Sequence, residues 1–360
     1  MTKFLPVLSL LIVTLLSSCG PEVLCDAPES CEYARYFDIL PEDRGVVVIS
    51  PYDGRRDTLL VEEAMDNIVC MSSSHVAALS EIGADSLISA VSGIGYISNK
   101  ALRERYASSP RNLHDIGYEA SLDYERILQI KPDILVTYTV TGSEPMFLSK
   151  LRSLKVPVMV LHDHLECHPL AKAEYVRLFG VLTGRSSQAD SVFAGVRDRY
   201  EAHVKKIEAT HMSGSSKQNV RRNVIMNVPY GDAWYVPGGA GYMARLVKDA
   251  GGQILGAAPG SAGSRVISME EAYLLSDQAD IWLNPGNCST LRQLESIHQL
   301  FPSFGPLKKG LPVYNNTLRM TPEGGNDFWE SGSMRPDLIL EDLVNLMAGK
   351  DTLNYFFRLD

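Results

Sequence analysis

The sequence predicts an α/β protein: two three-layer α/β/α lobes with mainly parallel sheets, joined by one long α-helix and preceded by a small N-terminal β meander. Three observations predict it. Short apolar runs alternate with amphipathic helical stripes in each half of the chain, the pattern of parallel strands covered on both faces. A wholly helical stretch, Pro169 to Ala209, separates the halves. Before residue 65 the chain instead shows β-rich segments broken by turn signals. With 360 residues, 45% hydrophobic and 21% charged, the chain has material for more than one core.

Lys3 and the apolar run Phe4 to Leu16 lead into Leu16-Ser17-Ser18-Cys19. Small residues before a Cys resemble the lipobox of bacterial lipoproteins, so residues 1–18 are expected to be a signal peptide and Cys19 the lipidated residue. Residues 19–64 form a tether and the meander. In it Tyr33 to Leu40, Val46 to Ser50 and Thr58 to Val61 are the strand candidates, separated by Pro-Glu-Asp-Arg-Gly and Tyr-Asp-Gly. Of the cysteines, Cys25, Cys31, Cys70, Cys167 and Cys288 remain after Cys19, an odd number that leaves at least one unpaired within the chain. Cys25 and Cys31 are spaced to close a small loop. No Cys-x-x-Cys supports a zinc ribbon or a redox site.

The first lobe is expected over 65–186. Asn67 to Met71 reads as a buried strand, Ser72-Ser73-Ser74 as the N-cap of a helix carrying Val76, Ala77, Leu79 and Ile82, and Leu87 to Val91 as the next strand. A helix with Leu122, Ile127 and Ile130 stops at Pro132. Strand Ile134 to Thr137, a helix with Met146 to Leu154, and strand Val158 to Leu161 follow. The joining helix, placed at 187–210, carries Ala189, Val192, Phe193, Val196, Tyr200, Val204 and Ile207. Its stripe covers about 20 residues, roughly 30 Å. The second lobe, 211–360, repeats the alternation. Its strands are Asn223 to Val228, Ile281 to Leu283 and Pro312 to Tyr314, and its helices Tyr242 to Ala250, Leu291 to Leu300 and Leu338 to Met347.

Several stretches resemble one family in order and spacing. Ile68-Val69-Cys70-Met71-Ser72-Ser73-Ser74-His75 is similar to its opening strand and helix. His114-Asp115-Ile116-Gly117, Leu122-Asp123-Tyr124-Glu125-Arg126-Ile127-Leu128 and Lys131-Pro132-Asp133-Ile134 are the most specific stretch. Asp249-Ala250-Gly251-Gly252, Ile267-Ser268-Met269-Glu270-Glu271 and Ala279-Asp280-Ile281-Trp282 follow in the second half. Asn326-Asp327-Phe328-Trp329-Glu330 with Arg335-Pro336-Asp337 resembles the tail of such proteins from Bacteroidota. The resemblance, over roughly residues 65–348, is to helical-backbone substrate-binding proteins of ABC importers for ferric siderophores, haem and cobalamin. It implies a monomeric, non-enzymatic lipoprotein of the periplasm or cell envelope, held to the membrane through Cys19, that captures a small chelate between its lobes. It also implies delivery to a permease dimer with its ATPase, docked through one acid per lobe, which fall on Glu144 and Glu270.

In an open α/β lobe a ligand meets the loops at the carboxyl ends of the strands. Those loops place Ser74, His75, Tyr96, Tyr138, Thr139 and His164 in the first lobe. In the second they place Tyr230, Trp234, Tyr235, Asn284, Phe328 and Trp329. Aromatic side chains dominate, which suits a large, flat or partly apolar ligand. His162-Asp163-His164 has histidines at i and i+2 that point the same way if extended. A matching His after the second-lobe strands is lacking, so no metal site is assigned, nor any resident cofactor. The ligand is expected to be an iron complex, ferric siderophore or haem, on the breadth of the family. Cobalamin is the alternative, and the residues do not choose among the three.

Other classes fit poorly. Net charge is −9 and no Lys/Arg run exceeds two residues, which disfavours nucleic acid. No stretch beyond the N-terminus is apolar enough to span a bilayer. No nucleophile elbow, phosphate loop or His-Glu-x-x-His motif is present, so an enzyme is not expected.

Overall fold

The computed structural model describes residues 28–109, 112–212 and 221–360. The segment 1–18, Cys19 and Cys25 lie outside the described residues. Strands β1 (Phe37–Ile39), β2 (Gly45–Ile49) and β3 (Arg56–Leu60) form an antiparallel sheet, the expected meander. It is fastened to the first lobe by two buried carboxylates. Glu174 accepts the backbone amides of Glu32, Tyr33 and Ala34 at 2.8–2.9 Å, and Glu166 those of Arg35 and Tyr36 at 2.8 and 3.1 Å.

The first lobe runs β4 (Ile68–Cys70), α1 (Ser73–Glu81), β5 (Ile88–Val91), α2 (Lys100–Ser108), β6 (His114–Asp115), α3 (Tyr124–Ile130), β7 (Ile134–Tyr138), α4 (Met146–Ser153) and β8 (Val158–Leu161). The sheet is parallel throughout, in the order β6-β5-β4-β7-β8. Alternation along β4 explains the two covered faces. Ile68 and Cys70 pack with Val76, Leu79 and Phe179, whereas Val69 and Met71 pack with Ile127, Leu148 and Leu151. Ser72 caps α1 as expected, its hydroxyl accepting from the Ser74 amide. Helix α2 had no strong apolar stripe to announce it; Asn99 caps it, and Leu102 is its one buried residue.

Two helices follow, α5 (Pro169–Leu182) and α6 (Ser186–Met212). At 27 residues α6 is about 40 Å long. Its apolar stripe is divided between two cores: Ala189 packs in the first lobe, and Phe193, Val196 and Tyr200 in the second. It lies on α5 and on the last helix of the second lobe.

The second lobe contains β9 (Arg222–Met226), β10 (Trp234–Val236), α7 (Tyr242–Asp249), β11 (Gly252–Ile254), β12 (Arg265–Ile267), α8 (Met269–Ser276), β13 (Ile281–Leu283), α9 (Leu291–Ile297), α10 (Gly305–Lys308), β14 (Val313–Asn315), α11 (Ser331–Met334), α12 (Pro336–Met347) and β15 (Phe357–Arg358). Its sheet order is β11-β9-β13-β14-β15, parallel except for β15 at the edge. β10 and β12 pair separately. The two lobes thus share one plan, and the expected two-lobe α/β fold with mainly parallel sheets is what the chain adopts.

A second connection crosses between the lobes. After β14 the chain reaches over to the first lobe, where α11 packs on α1 and α5 and Met334 enters the first-lobe core. Glu330 accepts the amides of Ser98 and Asn99 at 2.6 and 2.7 Å, and Thr321 donates to the Gly95 carbonyl at 2.7 Å. Among the described residues, no helix is long and apolar enough to cross a membrane.

Candidate functional site

Each sheet has a point where strand order reverses, between β4 and β7 in one lobe and between β9 and β13 in the other. Crevices open beyond the strand ends there. In the second lobe both strands end in an asparagine of left-handed backbone, Asn227 (φ 68°) and Asn284 (φ 55°), a conformation that asparagine tolerates better than most residues. In the first lobe the equivalent ends carry Met71 to Ser73 and Thr137 to Thr139.

Two cavities lie along this line. One, of about 430 Å³, is shared by the lobes: His164, Glu166 and Lys172 line it from the first, Asn227, Tyr242, Asn284 and Trp329 from the second. The other, of about 480 Å³, belongs to the first lobe and is lined by Ser73, Tyr96, Tyr118 and Tyr138 among others. The Tyr138 and His164 rings, 5.6 Å between centroids, stand where the two adjoin. Tyr96 and Tyr118 meet edge to face at 5.6 Å.

The structure brings together five of the expected ligand contacts: Tyr96, Tyr138, His164, Asn284 and Trp329. It directs the others elsewhere. Trp234 is buried in the second-lobe core against Trp282, Phe301 and Phe304, with its indole N–H donating to the Met226 carbonyl. Phe328 is buried between Trp329, Tyr355 and Phe356. Trp234 opens β10 and Phe328 lies in the stretch after β14, and both rings satisfy the core rather than the crevice. Ser74 and His75 point into the lobe. The Ser74 hydroxyl donates to Asp163 at 2.7 Å, and His75 Nε2 lies 3.4 Å from the other carboxylate oxygen. Burial opposes ionisation of Asp163, yet the bond from His75 and the charges of His75 and Lys172 hold its carboxyl well below the usual range. Thr139 is buried on the meander side, where its carbonyl accepts the Tyr52 hydroxyl at 3.3 Å. Tyr230, 84% exposed, and Tyr235, 44% exposed, face solvent and line neither cavity.

His162 and His164 do not converge as an extended strand would make them, because Asp163–Leu165 is a 3-10 turn. His162 turns under the meander, edge-on to Tyr36 and Tyr52, and burial brings its pKa down to about 4. His164 faces the shared cavity with both ring nitrogens buried, and the Thr139 backbone is the polar group that reaches its ring. Burial lowers its pKa too, so the ring is neutral at pH 7. Among the described residues no group of three His, Cys, Asp or Glu is arranged to hold a metal ion.

Sequence reasoning missed Lys172, Glu166, Tyr242 and Tyr118. For Lys172 a signal existed. Helix α5 is apolar almost all round, so a charge within it has to be buried and assigned a role. Burial lifts the Glu166 carboxyl to about 7, even with two amides donating to it.

The two acids read as docking residues are both at the surface, Glu144 before α4 and Glu270 in the first turn of α8. Glu271 is engaged by Arg265 at 2.7 Å, whereas Glu270 has no ion pair among the described residues and bonds to the Ser268 side chain and its own backbone amide. Glu144 accepts the Ser149 hydroxyl at 2.9 Å and lies 3.6 Å from Arg152.

The family model for periplasmic binding proteins matches residues 68–299. An uncharacterized lipoprotein of Methanocaldococcus jannaschii is 21% identical over 310 residues, covering 83% of this chain and 69% of its own. Among solved structures, a periplasmic haem-binding protein of Pseudomonas aeruginosa superposes with a TM-score of 0.59 at 17% identity, over 82% of this chain and 98% of its own. The periplasmic vitamin B12-binding protein of Vibrio cholerae does so with a TM-score of 0.54 at 11% identity, over 79% and 97%. At these identities the likeness is one of fold.

Proposed function

Because the chain belongs to the periplasmic binding protein family, we propose that it is the substrate-binding protein of an ABC importer, capturing an iron complex between its lobes and delivering it to a permease dimer with its ATPase. The observation that carries this reading is the shared cavity, where the buried Asn284 Oδ1 of the second lobe has no partner among the described residues and shares the space with His164 and Lys172 of the first. Such groups are costly to bury unless something binds them. The complex is a ferric siderophore or haem, a reading supported by what the Pseudomonas aeruginosa neighbour binds. Cobalamin is the second reading, supported by the Vibrio cholerae neighbour and by the aromatic pair Tyr242 and Trp329, 6.4 Å apart in the wall of the shared cavity. The ligand is cargo and no resident cofactor is involved.

The protein acts as a monomer in the periplasm or cell envelope, anchored by a lipid on Cys19, a reading supported by its lipoprotein relative. Glu144 and Glu270 meet arginines of the permease, one acid on each lobe, where bidentate pairs give register as well as attraction. Two experiments test the proposal. Purified protein mixed in turn with haem, cobalamin and ferric siderophores is read by absorbance. A shifted Soret band or a retained siderophore band supports an iron complex, and a retained corrinoid band alone replaces it with cobalamin. Glu144→Ala with Glu270→Ala should leave binding intact and abolish uptake into vesicles holding the transporter. Undiminished uptake would overturn the docking assignment.

A further inference from the structure

The shared cavity has an unusual base. Lys172, on α5 of the first lobe, is only 9% exposed, and its ammonium lies 4.5 Å from the centroid of the Tyr242 ring of the second. That ring is the Lys172 side chain's one specific contact among the described residues; no ion pair or hydrogen bond reaches its nitrogen. The acids whose field reaches it are engaged elsewhere. Asp163 holds Ser74 and His75, and Glu166 holds the Arg35 and Tyr36 amides. An ammonium that reaches the cavity with three donors unused among the described residues is a ready partner for an anion.

The opposite wall adds to the same field. Tyr242 is the first residue of α7, and the residue before it, Gly241, has no side chain with which to cap the helix. Gly241, Tyr242 and Met243 all line the cavity. A helix N-terminus carries roughly half a positive charge and presents unpaired N–H groups. A full cation from one lobe and a partial one from the other therefore converge on one space, where Asp163 and Glu166 act on the ammonium through their field and neither bonds to it directly. The buried Asn284 Oδ1, without a partner among the described residues, borders it beside the His164 ring.

We propose that the base of the cleft is an oxyanion seat, formed by Lys172 and the uncapped start of α7, that takes a carboxylate of the transported ligand and so bridges the two lobes. The inference rests on the substrate-binding reading and sharpens it: cargo is selected by a carboxylate, and uncharged chelates are disfavoured. Two sources supply that group, the propionates of haem and the carboxylates of a citrate-type siderophore.

Matched acid and neutral probes test it on the purified chain: haemin against its dimethyl ester, ferric citrate against ferrichrome, and metal-free citrate. Affinities are taken by titration for the wild type, Lys172→Met and Lys172→Arg. The acid of a pair should bind roughly ten- to a hundredfold more tightly than its neutral counterpart, the range for a hydrogen-bonded charge. Lys172→Met should erase that difference without changing the neutral member's affinity, and Lys172→Arg should keep most of it. The seat is overturned if the wild type binds no acid probe, if esters bind as well as acids, or if Lys172→Met binds acids like the wild type. Preference for ferrichrome or cobalamin would overturn the seat and leave the importer reading standing. Lys172-dependent binding of metal-free citrate alone would uphold the seat and overturn the iron complex.

Discussion

Trp234 and Trp329 show how residues of one type divide between stability and recognition. Trp234 is stacked on Phe304 with ring centroids 5.8 Å apart and buried on all sides. Trp329 is 45% exposed at the mouth of the shared cavity. Trp234→Ala should cost about 3–5 kcal/mol, the range for emptying a large aromatic site, measured by urea unfolding. Trp329→Ala should leave unfolding nearly unchanged and weaken ligand binding in titration. The reverse pattern would contradict the placement of both rings. The sequence placed both on loops beyond strand ends; for Trp329 a loop has no periodicity from which to read a face, whereas Trp234 belongs to the short strand β10, whose alternation turns it inward and Tyr235 outward. Ser74 and His75, in the first turn of α1, were expected in the crevice because that turn follows β4, whereas Asp163, far away in sequence, draws them inward. Lys172 was overlooked because a charge in an apolar helix looks like an interruption of the stripe, and only the packing of the second lobe over it turns it into a feature of the cavity.

The elements themselves were largely legible, because each buried strand is a compact apolar run and each helix has a stripe of the right period. Those missed had weak local signals: α2 has one buried residue, and β15 is two residues long and pairs antiparallel with β14. The joining helix was recognised by its stripe, yet its close contact with α5 depends on a residue that has no stripe character. At Gly180 a Cβ would stand 2.5 Å from that of Ala189 and 3.3 Å from the Ser186 Cα. Gly180→Val should force α5 and α6 apart and cost about 1–3 kcal/mol or more, the usual penalty of overpacking. Thermal melting checks this, and pairing it with Ala189→Gly should recover part of the loss, since the two side chains compete for one space.

At the scale of the whole molecule, the lobes are connected twice: by the continuous helix α6, and by the stretch from Thr321 to Met334 that crosses back to the first lobe. The first connection is visible in the sequence as a long helical stripe. The second is not, because it consists of a carboxylate meeting backbone amides more than two hundred residues away. That crossing has a pH signature. Burial, the strongest influence on Glu330, raises its carboxyl to about 7; the Ser98 and Asn99 amides pull it down, Asp327 pushes it up and Arg103 opposes. The folded state therefore keeps a proton, between about pH 4.5 and 7, that an unfolded Glu has released. Stability from this group is full below that window and declines as pH rises through it, with no further loss above. A displacement of that size corresponds to roughly 3 kcal/mol. His162 and His168, brought down to about 4 by burial, act in the opposite direction over an overlapping range, so the wild-type curve alone is not diagnostic. The comparison that isolates Glu330 is with Glu330→Gln, which keeps an acceptor for the amides and does not titrate. The wild-type melting temperature relative to the variant should fall between pH 5 and pH 7 and then level off, while the histidine contributions, common to both proteins, cancel. A constant difference across that range would mean that Glu330 is ionised throughout, and that the clasp between the lobes is a charged contact instead of one that tightens as the medium is acidified.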